Sequence, residues 1–258
     1  MRRGTRPLVA LAGALAIAVA SAGCGGGDAN PLSDAEQAMA SLDSGRIDLT
    51  LAATAPSGSG AARPVGFRME GPFAIEAGRD YPTLDVRYTT LLGDDEHVTR
   101  VVSDGTSVDV IHDGYRTELP AEDARRLRLG RGGDGFADLG VAGWVEDPTI
   151  VERPDGTRLV TGTVDVADLL SDLARISGQT GGGGNVDALD GDSSERIRGL
   201  VRHSEFTAEL DRGDLPRSLR AVVDFGLRPA AELKSALGAY AAPRLEVSLA
   251  VEPAAGPR

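Results

Sequence analysis

The side chains able to do chemistry in this 258-residue chain are few, and their spacing suits little of it. The single cysteine, Cys24, cannot form an intramolecular disulfide or build a zinc-ribbon cluster. The single lysine, Lys234, follows Ala230-Ala231-Glu232-Leu233, which excludes both the G-x-x-x-x-G-K-[ST] phosphate loop and a Ser-x-x-Lys acylating pair. No G-x-S-x-G elbow occurs. The three histidines, His97, His112 and His203, stand apart beside polar residues near strand or helix ends, as surface residues rather than metal ligands. Asp187, Asp190, Asp192 and Glu195 carry the oxygen ligands that calcium prefers. Their spacing departs from the D-x-[DN]-x-[DN]-G loop, and Asp192 with Glu195 is explained as a helix start. Asp94-Asp95-Glu96 falls in a turn between strands, where solvated carboxylates are expected rather than acid–base catalysis. The sequence therefore predicts no catalytic residue, no metal and no cofactor.

Charge narrows the partners. The chain carries 27 basic and 39 acidic residues, net −12. Three of its arginines, Arg2, Arg3 and Arg6, lie in a segment without acids, and removing that segment would take the net charge to −15. So acidic a surface repels phosphate backbones, and no nucleic-acid partner is expected. Apolar residues make up 41% of the chain, enough for a folded core, while aromatics at 4% are too sparse for stacking platforms.

Residues 1–23 read as an address. Met1 to Arg6 is a charged region, Pro7 to Ala22 is apolar, and Ser21-Ala22-Gly23 are small. The apolar run is too short to span a bilayer and ends in Gly-Cys-Gly-Gly-Gly. Small residues before a cysteine that is followed by glycine resemble a bacterial lipobox, although Ser21 stands where the usual pattern has leucine. The resemblance implies cleavage before Cys24 and diacylglyceryl attachment to its thiol. Residues 24–30 would then be a flexible tether to the outer face of the cytoplasmic membrane. Plain secretion after an Ala-x-Ala-like cut is the alternative.

The elements that follow alternate in a regular way. Ser33 and Glu36 predict a capping box for a short amphipathic helix ending before Gly45. Period-two alternation then marks strands at Ile47–Leu51, Phe67–Ile75, Leu84–Tyr88, His97–Ser103, Thr106–Ile111 and Tyr115–Leu119, with Asp104-Gly105 read as a two-residue hairpin turn. Pro120 opens a short helix, and residues 130–143 are glycine-rich. Further strands are predicted around Thr149–Glu152, Arg158–Val164, Phe206–Leu210, Leu219–Phe225 and Leu245–Val251. Helices are predicted at Val166–Ile176, from Asp192, and over Pro229–Tyr240. The expected fold is α+β. A single, strongly curved antiparallel sheet, a half-barrel of about nine or ten strands, has amphipathic helices covering its concave face. No linker divides residues 31–252.

Several of these patterns together resemble the LolA/LolB-like superfamily, specifically the actinobacterial LppX/LprG-type lipoproteins. They are the Ala-rich helix Asp34–Asp43 leading into Ile47-Asp48-Leu49-Thr50-Leu51, and the Val-x-x-Asp-Gly-x-x-Val step at Val101–Val108. Next come the strand Val160 to Asp165 feeding the helix at Val166–Ile176, and Glu209 to Pro216 ahead of a long apolar strand. The resemblance implies a domain over residues 31–252 that binds, and could shuttle, a lipid or glycolipid, without catalysis. Acyl chains need a concave apolar surface to hide in. Candidate lining residues on the first strands are Phe67, Met69, Phe73, Leu84, Val86, Val101 and Val110. Later in the chain they are Val164, Leu169, Leu173, Val223 and Phe225. The glycines at 181–184 and the stretch 131–143 could gate the mouth of such a cavity. The alternative is a regulatory or structural interaction module whose interior is filled and whose acidic exterior meets a partner protein.

Overall fold

A computed structural model describes residues 31–55, 63–126, 139–179, 191–228, 231 and 242–254. Helix α1 (Pro31–Ala40) leads into six strands, β1 (Ser44–Ala55), β2 (Arg63–Ala74), β3 (Thr83–Leu92), β4 (Asp95–Asp104), β5 (Val108–His112) and β6 (Tyr115–Glu118). After the short helix α2 (Ala121–Arg126) come β7 (Val145–Glu152) and β8 (Arg158–Val164). Helices α3 (Val166–Gln179) and α4 (Gly191–Leu200) then precede β9 (His203–Leu210), β10 (Pro216–Asp224) and β11 (Arg244–Pro253). All eleven strands join one antiparallel sheet in the order β6-β5-β4-β3-β2-β1-β11-β10-β9-β8-β7. Each segment marked by alternation in the sequence is one of these strands, so the sheet is slightly wider than the nine or ten expected, with Tyr115–Glu118 and the bulged Val145–Glu152 at its two edges.

Two meanders make this sheet, and the last strand joins them. β11 pairs with β1 over Gly45↔Pro253 to Thr54↔Arg244, so the two ends of the described chain meet at the centre. β6 and β7 do not pair, and the sheet stays an open, curved half-barrel rather than a closed one. Alternation puts Ile47, Leu49 and Leu51 on the same face as Phe206, Ala221, Val223, Val247 and Leu249, all buried in one apolar core.

The helices fill that face. α1 contributes Leu32, Ala35 and Met39, α3 contributes Val166, Leu169, Leu170 and Leu173, and α4 contributes Ile197. Asp165 caps α3 as expected, its Oδ1 accepting the N–H groups of Ala167 (2.9 Å) and Asp168 (3.2 Å). The predicted Ser33–Glu36 capping box does not form. α1 already begins at Pro31, whose fixed φ suits a first helical position, and the Glu36 carboxylate is used elsewhere. No helix among the described residues is long and apolar enough to cross a membrane. The helix expected over residues 229–240 lies outside the described residues, apart from Ala231.

The turns agree only in part with expectation. Asp113 (φ 49°) and Gly114 (φ 81°) form a two-residue hairpin between β5 and β6. The link from β4 to β5 is longer than the two-residue turn read from Asp104-Gly105. Asp104 Oδ1 accepts the N–H groups of Thr106 (2.8 Å) and Ser107 (3.0 Å) and the Thr106 hydroxyl (2.7 Å), so a side chain closes this turn. Those bonds hold the Asp104 carboxyl down at about 2. Of Asp94-Asp95-Glu96, only Asp94 sits in the turn, with Gly93 at φ 73°, and the other two begin β4 as exposed residues.

Candidate functional site

The strand register lines up one residue from each strand along a single row across the inner face. From β7 to β1 the row reads Ile150, Val160, Ala208, Leu219, Leu249 and Leu49. From β2 to β6 it continues as Met69, Tyr88, Thr99, His112 and Tyr115. Val160 through Met69 are buried, Tyr88 and Thr99 are half-buried, and Tyr115 is 80% exposed. On the same face, Val65 of β2 pairs with Leu92 of β3, and the two are 39% and 50% exposed. The inner face is therefore sealed from β8 to β2, exposed at Ile150 on the β7 edge, and open at the Leu92 end of β3 and around Thr99, His112 and Tyr115 of β4 to β6, while Leu84, Val86, Ser103 and Val108 at the other ends of β3 to β5 are buried.

The boundary is aromatic. Phe67 is buried and its ring stacks on that of Tyr88, with centroids 5.5 Å apart. Beyond Tyr88 the row turns polar: the Thr99 hydroxyl lies 3.3 Å from His112 Nδ1. An apolar chain laid along this face would meet Val65, Leu92, Tyr88, Val101 and Val110, and the Thr99 hydroxyl and His112 imidazole lie between Tyr88 and Tyr115.

The sequence-derived lining residues divide between the two halves. Leu169, Leu173, Val223 and Phe225 keep no exposed surface, and Val164 keeps almost none, so a ligand reaches them only by displacing protein. Phe67, Met69, Leu84 and Val86 are buried at the boundary. Phe73 and Val101 are half-buried against the core, and Val110 is half-buried farther out on β5. Sequence reasoning missed Val65, Leu92 and Tyr115. Val65 and Leu92 continue the period-two patterns of Phe67 and Leu84 to the strand ends, which is the signal that finds them.

Carboxylates organise the helix side. Asp172 Oδ2 of α3 accepts the N–H of Gly140 and the Trp144 indole N–H, both at 2.8 Å. Glu36 Oε1 of α1 accepts the N–H of Ala142 at 2.7 Å. These bonds strap residues 139–144 across two helices and bury Leu139, Val141 and Trp144. Residues 139–143 are thus packed, not the open gate expected for the end of the 131–143 stretch, because two helices supply acceptors for their backbone. Burial, reinforced by the Asp172 charge, raises Glu36 above the ordinary glutamate value. Burial, followed by the Asp165 and Asp172 charges, raises Asp168.

No group of side chains among the described residues could hold a metal ion. His97, His112 and His203 are exposed, as is Glu195. Cys24, Asp187, Asp190, Lys234 and the glycines at 181–184 lie outside the described residues. The outer face of the sheet carries ion pairs, among them Arg100 with Asp85 and Arg220 with Glu246, together with the exposed Val98 of β4 and Val151 of β7.

No family model matches the chain, and no curated protein matches it. Among solved structures, LprF from Mycobacterium bovis is similar. The TM-score is 0.46 at 15% identity, over 88% of this chain and 92% of that one.

Proposed function

We propose that this chain is an envelope lipoprotein, anchored through Cys24, that holds an acyl chain of a lipid or glycolipid on the open half of its inner sheet face. The observation that carries the reading is the uncovered continuation of the core: Val65, Leu92 and Tyr115 project from the same face as the buried row yet remain exposed. Exposed apolar groups contiguous with a core mark a place where something apolar binds. Covering them removes apolar surface from water without opening the sealed half. The hydroxyl and imidazole groups of Thr99 and His112, between Tyr88 and Tyr115, suit a polar headgroup. Transport between membrane layers would follow if the bound lipid exchanges with bilayers.

Titration with a fluorescent fatty-acyl probe tests the reading. Saturable binding by the wild-type chain, lost in Leu92→Asp with the fold intact, supports it. Absence of saturable binding, or binding indifferent to that substitution, refutes it. A second reading has its own observation. Leu49, Val160, Phe206, Val223 and Phe225 have no exposed surface, as in a domain whose interior is already filled. On that reading the chain is a docking module for another protein, and no acyl probe binds.

A further inference from the structure

The two ends of the sheet are guarded unequally. An unpaired edge strand presents free N–H and C=O groups to other chains, and proteins protect such edges with proline, bulges or cover. β7 carries such protection in its first half, where Asp147 sits at φ 49°, Pro148 lacks an N–H, and the register shifts between Glu146 and Thr149, while Thr149–Glu152 pairs regularly with β8 and exposes Ile150 and Val151. β6 has neither a proline nor a bulge. Its four residues are all exposed, and Tyr115 is the most exposed aromatic among the described residues.

The hairpin fixes which backbone groups of β6 face outward. The Asp113-Gly114 turn makes His112 and Tyr115 a hydrogen-bonded pair. The N–H of Leu119 bonds to the carbonyl of Val108 at 2.8 Å, so the odd-numbered positions point their backbone groups at β5. Those of Arg116 and Glu118 point away from the sheet. A second copy docking antiparallel must present the same two positions, which leaves few registers. One sets Arg116 against the partner's Arg116, and another sets Glu118 against the partner's Glu118. The register between them sets Arg116 against the partner's Glu118 and Glu118 against the partner's Arg116, with Thr117 on the two-fold axis. Both charged pairs are then opposite in sign, and each exchanges two main-chain hydrogen bonds. On the inner face, Tyr115 comes opposite the partner's Leu119.

We infer that β6 is a homodimer edge, pairing two copies about Thr117 into one continuous sheet. A local conflict within the single chain agrees. Asp109 of β5 stands directly opposite Glu118, a like-charge pair that is unfavourable across a ladder. Arg116 reaches Asp109 from the diagonal position, and Glu118 has no ion-pair partner among the described residues. The partner's Arg116 places a cation beside it. The interface is isologous, as a two-fold dimer requires.

The test uses the full chain carrying Cys24→Ser, so that an introduced cysteine is the sole thiol. Thr117→Cys should cross-link into a disulfide dimer under mild oxidation, and Thr149→Cys on the β7 edge should not. Adding Glu118→Arg, which improves the pairing with Asp109 and so keeps the fold, should slow the cross-link by about tenfold, because arginine then faces the partner's arginine. Combining Glu118→Arg with Arg116→Glu restores opposite charges and should recover it, with far-UV circular dichroism unchanged throughout. Equal cross-linking at Thr117 and Thr149, or a Glu118→Arg variant that cross-links like its parent, overturns the inference.

Discussion

Leu92→Ala separates a binding surface from a core. Leu92 keeps 50% of its surface exposed on the inner face, so the protein covers about half of the side chain and leaves the rest for a ligand. The substitution removes about three methylene equivalents, each worth about 0.8 kcal/mol when buried. Half of that, about 1.2 kcal/mol, is the ligand's share, which is close to tenfold in Kd. Stability should fall by about 1 kcal/mol or less, because the removed groups were only half covered. Leu169→Ala should do the opposite. With no exposed surface it should lose about 2–5 kcal/mol of stability, and any loss of binding should follow from unfolding. Probe titration alongside urea unfolding reads both quantities on the same samples. Unchanged probe affinity in Leu92→Ala refutes the placement of the ligand. So does a Leu169→Ala variant that binds weakly while unfolding like the wild type, since the acyl chain would then occupy the sealed half.

Other consequences follow from the same geometry. Asp172→Ala strands the N–H groups of Gly140 and Trp144 and should cost about 2–4 kcal/mol, read by urea unfolding. Trp144 is the only tryptophan, so a red shift of its emission would report release of the strap directly. Glu36 and Asp168 are raised above their ordinary values of 4.5 and 3.8, so the folded chain holds their protons more tightly than the unfolded chain. Their contribution to stability must therefore decline as pH climbs through the window just above those values. Thermal melts from pH 4.5 to 7 should show that slope, and Glu36→Gln should flatten it while its side-chain oxygen still accepts the Ala142 N–H. Asp104, held at about 2, works the other way, losing stability as pH falls from 3.8 toward that value, so it stays outside this window. Cys24→Ser should move the protein from the membrane fraction to the soluble one, and continued membrane association would contradict the anchor.

The sheet was legible because its strands obey period two and some of its turns carry Asp-Gly punctuation, as at Asp113-Gly114. The capped stripe of Val166, Leu169, Leu170 and Leu173 was equally plain. Closure of β11 onto β1 was not, since pairing between strands some two hundred positions apart leaves no local mark. The alternation of β3 and β4 likewise says which side chains share a face but not how far the helices reach over it. That is why twelve lining candidates could be named while their split into sealed and open halves could not. Residues 139–144 were opaque for another reason: their order comes from carboxylates on α1 and α3, distant in sequence. Ser33 and Glu36 fit a capping box by spacing alone, yet Pro31 started the helix earlier and left Glu36 free for Ala142. The short edge strand β6 was visible as a segment, but its outward-facing Arg116 and Glu118 become meaningful only with the register in hand.

Native mass spectrometry of the chain purified from a producing bacterium, followed by solvent extraction, tests the lipid-binding claim most directly. A co-purifying species with the mass of an acylated lipid, released by solvent and rebound on addition, is the expected result. A spectrum of the bare chain that stays bare when acyl lipids are added would contradict it.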